Sequence, residues 1–235
     1  MRRFYQAASA GPVEAGGFAV LLDGKPLPTP ARRPLVLPSE PLARAIAAEW
    51  HGQGETIQPQ AMPLTRIAAT AIDRINDNPE PAIAEMVNYG GTDLLCYRAE
   101  RPADLVALQA ELWQPLLDWL LHRFDIHLAT TDAMRAIPQS PAAMAALRKV
   151  IASREALELS ALHAVTTGTG SVVIGLAVAE GQIDAEAAIA ASQLDELYQS
   201  RLWGQDAEAE ARRAAMAVEL REGERFLRLL AGAGD

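Results

Sequence analysis

Apolar and polar positions follow two regimes that change near residue 60. Before it, short apolar runs are cut by glycine and proline. Phe18, Val20 and Leu22 alternate with a period of two, the pattern of a half-buried strand. Asp23-Gly24 follows, a dipeptide whose tolerance of positive φ suits a two-residue hairpin turn. Leu35, Val36 and Leu37 predict another short strand, with Pro34 and Pro38 confined to its ends. Ser39 is placed to cap a helix that tolerates Pro41 in its first turn and carries Leu42, Ile46 and Trp50 on one stripe. Gly52 and Gly54 end that helix.

After residue 60 the spacing becomes helical. Leu64, Ile67, Ala68, Ala71, Ile72 and Ile75 form one buried face until Asn78-Pro79 breaks it. A second helix runs to Gly90-Gly91, and a longer one over 103–123 carries Leu105, Leu108, Leu112, Trp113, Leu116, Leu117 and Leu120. Pro115 inside it predicts a kink or a break. The stretch TDLLCYRAE at 92–100 reads equally as a strand or a turn, and 127–141 as a connector. Further helices fit 141–152, 154–167, 171–180, 184–203 and 207–230. The expected fold class is α+β. A small N-terminal mixed domain (1–60) has antiparallel strands and a helix, and a larger all-helical C-terminal domain covers 61–235.

Composition narrows the partners. Half of the 235 residues are apolar but only 5% are aromatic, and alanine, the best helix former, supplies much of the difference. A net charge of −9 and a pI near 5.0 argue against nucleic acid or an anionic membrane as the main partner. No apolar run approaches the roughly 18–20 residues of a membrane span, so no membrane insertion is expected. The single cysteine, Cys96, excludes an intramolecular disulfide and a cysteine-based zinc site, and it fits a reducing compartment. The opening MRRFYQAASA lacks the apolar run of a signal peptide. A bacterial cytosol is the expected location, or the mitochondrial matrix in a eukaryote.

Candidate chemistry is sparse. GSVVIGLA at 170–177 has the glycine spacing of a phosphate loop, but Leu176 and Ala177 stand where lysine and Ser/Thr are required. Its glycines read as aids to helix initiation and close packing. His51, His122, His127 and His163 have no metal-ligand spacing, and no nucleophile-elbow motif exists. No metal and no cofactor are expected. Cys96 beside Arg98 has the elements of an activated thiol, but Leu94 and Leu95 before it favour a buried cysteine.

LDELYQSRLWGQD at 194–206 holds the densest set of functional side-chain types. At about 100° per residue, Leu194, Leu197, Tyr198, Arg201 and Leu202 share one side, continuing a stripe from Ala187, Ala190 and Ala191. Glu196, Gln199 and Trp203 share the other. Asp195 and Glu196 diverge, whereas an acid/base pair must converge on one substrate. A tryptophan beside Glu and Gln instead suits an anchor for a partner protein. Asp195, Glu196, Gln199 and Trp203 are therefore the partner-binding candidates.

Eight segments in order resemble one family across nearly the whole chain: RFY (3–5), GFAVLLDGKPLPTPARRPLVLP (17–38), AIAAEWHGQGETIQP (45–59), MPLTRIAATAID (62–73), TDLLCYRAE (92–100), WQPLLDW (113–119), GSVVIGLA (170–177) and DELYQSRLWGQD (195–206). The chain resembles the ATP-twelve family, assembly chaperones of the F-type ATP synthase catalytic head. The resemblance implies a two-domain protein without catalysis that holds the free alpha subunit until a beta subunit replaces it. Trp50, Arg66 and Asp73 are assigned structural roles within the resembling segments. Two positions depart from the family pattern: Ala69 stands in place of asparagine, and Arg201 in place of an acid. Two rival readings remain: an enzyme using Asp93, Arg98 or the acids at 195–196, and a scaffold of another complex.

Overall fold

The computed structural model describes every residue except Met134, Gln205 and Asp235, so those members of the 127–141 connector and the 194–206 segment lie outside the described residues. Its compact units do not follow one cut in the chain. The first gathers residues 1–79, 155–161 and 222–235, and the second gathers 80–154 and 162–221.

In the first unit β1 (Ala8–Pro12) and β2 (Phe18–Leu22) pair antiparallel, with Ala10 opposite Val20. Asp23 and Gly24 both take positive φ and return the chain into β3 (Lys25–Pro26), as their hairpin chemistry dictates. β4 (Val36–Leu37) pairs with the start of β2, placing Leu37 opposite Phe18. Gly17 lies so close to the Leu37 carbonyl that a Cβ there would collide with it.

α1 (Glu40–His51) covers this sheet. Ser39 caps it by accepting from the Leu42 amide, and its hydroxyl donates to the Leu229 carbonyl in the C-terminal segment of the same unit. Leu42 and Ile46 are fully buried, as their spacing requires. Trp50 continues the stripe but meets more than the sheet. Its indole N–H donates to the Thr65 hydroxyl at 3.2 Å, and its carbonyl accepts from the Tyr5 hydroxyl at 2.7 Å. Thr65 belongs to α2 (Pro63–Thr70), which passes without interruption into a wider π-type turn over Ala71–Ile75. Asp73 in that turn accepts from the Thr29 hydroxyl and the Ala31 amide, tying α2 to the loop before β4.

The second unit is helical: α3 (Glu80–Gly91), α4 (Ala103–Phe124), α5 (Pro141–Ala152), most of α6 (Ala156–Thr169), α7 (Val172–Ala179), α8 (Ala185–Ser192), α9 (Leu194–Trp203) and most of α10 (Ala207–Leu230). Of the kink or break expected at Pro115, the break does not occur: α4 continues through it as one helix. TDLLCYRAE forms a short 3-10 turn over Leu94–Cys96, followed by a parallel bridge from Tyr97 to Thr131. Gly175 packs α7 against Leu162 and Thr166 of α6 at a spacing that a Cβ would fill. That is close packing by glycine.

The expected single helix over 184–203 is two helices, separated at Gln193. Its predicted inward stripe is corrected as well. Ala185, Ala188 and Ala191 face the core, whereas Ala187 and Ala190 are exposed. In AEAAIAAS five of the eight positions are alanine, so hydrophobicity marks the phase only weakly there. Within Leu194–Trp203 Leu194 is the one buried residue, and Leu197, Arg201 and Leu202 are exposed.

Trp50→Ala removes a buried indole that bridges α1, α2 and the segment before β1, and is expected to cost about 3–5 kcal/mol. Urea unfolding monitored by far-ultraviolet circular dichroism measures it. A loss below about 1 kcal/mol, the range of ordinary surface substitutions, would remove Trp50 from the core account.

Candidate functional site

α9 is oriented by polar bonds to α4, which compensate for its lack of a greasy stripe. Gln109 of α4 is buried, and its Oε1 accepts from the Ala99 amide at 2.7 Å. Its Nε2 donates to Asp195 Oδ1 at 2.8 Å. One turn before α9, the buried Trp113 indole donates to the Ala191 carbonyl at 2.8 Å. One turn into α9, the Tyr198 hydroxyl donates to Asp104 at 2.8 Å. Asp195 and Tyr198 therefore define the side of α9 that is held.

The side about 100° away is presented outward. Glu196, Gln199 and Trp203 line one groove of ≈ 260 Å³ between α9 and α10, together with Asp206, Arg212 and Arg213. Trp203 is 79% exposed and does not fold over the helix end. Gly204, with φ +96°, ends α9 directly after it. Glu196 lies 3.7 Å from Arg213, and the Gln193 amide donates to the Arg213 carbonyl at 3.3 Å. Three of the four sequence candidates thus share one surface. The fourth, Asp195, is engaged with Gln109 instead. Sequence reading missed Arg212 and Arg213, although adjacent arginines in an alanine-rich helix are a visible signal. It also missed Gln109, the polar residue at a core position between Leu105 and Trp113.

The groups proposed for an enzyme serve internal bonding. Asp93 is fully buried below the start of α7, where it accepts from the Ser171 hydroxyl (2.8 Å) and the amides of Leu95 and Val173. Burial pushes its carboxyl up to about 6, opposed by those hydrogen bonds. The Cys96 thiol is pushed up to about 12, by burial first and then by the Asp93 carboxylate, which leaves it protonated and unreactive at neutral pH. Arg98 donates to the carbonyls of Leu95 and Gln109 and lies over the Trp113 ring, 5.3 Å from its centroid. Among the described residues no group of three His, Cys, Asp or Glu side chains could hold a metal. No helix among them is long and apolar enough to cross a membrane.

In the first unit Asp73 fills the bonds already given, and Trp50 is buried. Arg66 is exposed on α2 and, with the buried Ala69, lines an apolar pocket. Arg201 lies exposed on α9 beside Leu197 and Glu210.

A family model described as "ATP12 chaperone protein" matches residues 2–121, just over half of the chain. The chain belongs to the ATP12 chaperone family. Its fold agrees with that of Atp12 from Paracoccus denitrificans, whose crystal structure superposes with a TM-score of 0.90 at 45% identity, covering 97% of this chain and 98% of the other. An aspartate-to-lysine mutant of the same bacterial Atp12p superposes equally well, covering 97% of each chain. The mitochondrial protein atp12 of Schizosaccharomyces pombe is 25% identical over 215 residues, 86% of this chain and 74% of its own. The two bacterial Atp12 structures share the α+β architecture of this chain.

The buried carboxylate of Asp93 generates a test. Its folded-state value lies above the ordinary 3.8, so between pH 4 and 6 the unfolded chain gives up this proton before the folded chain does. Its contribution is fully present below pH 3.8 and is lost as pH rises through 6, by up to about 3 kcal/mol. Asp93→Asn is expected to start less stable, because its amide nitrogen faces amide donors, but to lose this part of the slope. Chemical denaturation at pH 4, 5, 6 and 7 compares the two, and parallel profiles would show that Asp93 does not titrate in that window.

Proposed function

We propose that this chain is an ATP-independent chaperone of ATP synthase assembly, and that its client is the free alpha subunit of the catalytic head. It would hold alpha soluble until a beta subunit takes its place. The observation that carries this reading is the exposed Trp203, set with Glu196 and Gln199 along the groove between α9 and α10, in a member of the ATP12 chaperone family.

The physical reasoning is mass action. An unassembled subunit leaves exposed the apolar face that its neighbour normally covers, and such faces aggregate. A binder without a nucleotide cycle protects that face only by occupying it, and leaves when a better-fitting partner competes. Large aromatic side chains carry much of the energy of such interfaces, and Trp203 is the exposed aromatic of the α9–α10 groove. The net charge of −9 favours rapid encounter with a basic client surface and makes binding weaken as salt screens it. The compartment follows the host: cytoplasm in a bacterium, matrix in a mitochondrion.

Trp203→Ala and Glu196→Lys both change exposed side chains, so each is expected to leave the thermal midpoint within about 2 °C of wild type. Trp203→Ala is expected to weaken alpha binding by about thirtyfold, the scale of an interface anchor. Co-expression with alpha, followed by co-purification and titration of the purified pair, measures both effects. Equal alpha solubility with and without the chaperone would contradict the reading. A large fall in midpoint for Glu196→Lys would make that residue structural.

A further inference from the structure

α9 exposes more apolar surface than its groove against α10 accounts for. Of the seven exposed large apolar side chains among the described residues, three stand on this ten-residue helix: Leu197, Leu202 and Trp203. Exposed apolar residues scattered singly need no explanation, but three on one short helix do. Trp203 lines the groove, and Leu197 lines a second depression with Arg201, Glu210 and Arg213. Leu202 is 58% exposed and lines neither. Its exposure has a cause in the packing. α9 runs toward the start of α4, from the Gln109–Asp195 bond to the Tyr198–Asp104 bond, and Asp104 is the second residue of α4. Leu202 stands one turn past Tyr198 on the same side, beyond the end of α4.

The three side chains do not share a face. At about 100° per residue, Leu202 and Trp203 diverge by about 100°, and Leu197 stands about 120° from Trp203 and about 140° from Leu202. A flat partner laid over the groove covers Trp203 and leaves Leu202 in water. A surface that curves round the helix covers all three. The surroundings leave room for it. Arg201, Leu202, Trp203 and Gly204 are all exposed, and so are Asp206, Ala207 and Glu208 where α10 begins. The charges beside the two large apolar side chains are of both signs, Arg201 against Asp206 and Glu208.

We infer that the end of α9 inserts into a recess of the client, which closes round Leu202 and Trp203 together. The occupant is the client subunit, offering an apolar recess with a polar rim of both charges. A helix with its side chains sets the width of that recess at about 10–12 Å, and the rise from Leu197 to Trp203 sets its depth at about 9 Å. Leu202 is then a second anchor beside Trp203. Enclosure removes both from water, the setting in which anchor residues contribute most to an interface. This inference rests on the client reading proposed above and adds the shape of the contact.

Cysteine labelling of the full chain at pH 7 reads that shape, because the native Cys96 is buried and protonated and does not react. Leu202→Cys and, as the control, Leu121→Cys are treated with a polyethylene-glycol maleimide, alone and with purified alpha subunit. Alpha at about ten times its Kd leaves about a tenth of the chaperone free, so labelling at 202 is expected to slow about tenfold, with the rate at 121 unchanged. Leu202→Ser is expected to bind alpha about tenfold more weakly, with a thermal midpoint within about 2 °C of wild type because the side chain is exposed. An unchanged rate at 202 in a complex that forms, or wild-type affinity in Leu202→Ser, would overturn the inference and leave the client assignment standing. Absence of any complex between wild-type chaperone and alpha would remove both. Protection at 202 without alpha, lost on dilution, would overturn it by making the occupant a second copy of this chain.

Discussion

The hydrogen bond from the buried amide of Gln109 to Asp195 settles which way α9 faces. A helix as poor in apolar contrast as this one has no hydrophobic stripe to lock its rotation. Its angular position is fixed instead by directional bonds, from Gln109 to Asp195 at its start and from Tyr198 to Asp104 one turn later. Both partners on α4 are positioned by a helix whose own rotation is secured by Leu105, Trp113, Leu116, Leu117 and Leu120. With Asp195 committed inward, helical geometry leaves Glu196, Gln199 and Trp203 outward. Which face of α9 is presented is thus a consequence of a satisfied buried amide.

The same logic recurs through the molecule. Alanine-rich helices pack closely but specify their phase weakly, so buried polar anchors supply the specificity that larger side chains would otherwise give. Asp93 gathers the Ser171 hydroxyl and backbone amides at the start of α7. Ser39 connects its helix cap to the C-terminal segment, and the Ser160 hydroxyl donates to the Ile67 carbonyl at 2.9 Å. Each would be costly if half-satisfied, because an unpaired polar group in the interior loses its water without replacement. The protein therefore spends its strongest acceptors on architecture, which is why Asp93 and Asp195 are poor candidates for chemistry or docking while Glu196 remains presented.

Legibility in the sequence followed the physical contrast between neighbouring residues. The hairpin at Asp23-Gly24, the capped α1 stripe of Leu42, Ile46 and Trp50, and the long α4 were readable because their side chains differ sharply by position. The rotation of α8 and α9 was not, since the five alanines of AEAAIAAS leave little hydrophobic contrast between its faces. Pro115 shows the limit of a local signal: α4 runs through this breaker without ending, held by the buried Leu105, Leu116, Leu117 and Leu120. The outward grouping of Glu196, Gln199 and Trp203 could be read from spacing alone. The diversion of Asp195 could not, because it depends on an amide 86 residues away in sequence.

The account's central claim is that the α9 face bearing Trp203 meets the client. A photo-crosslinking amino acid, benzoylphenylalanine, placed at position 203 in chaperone co-expressed with the alpha subunit tests this directly, with the exposed Leu121 of α4 as the comparison site. The account predicts an alpha adduct at 203 and none at 121. Crosslinking to alpha at 121 with none at 203 would contradict it.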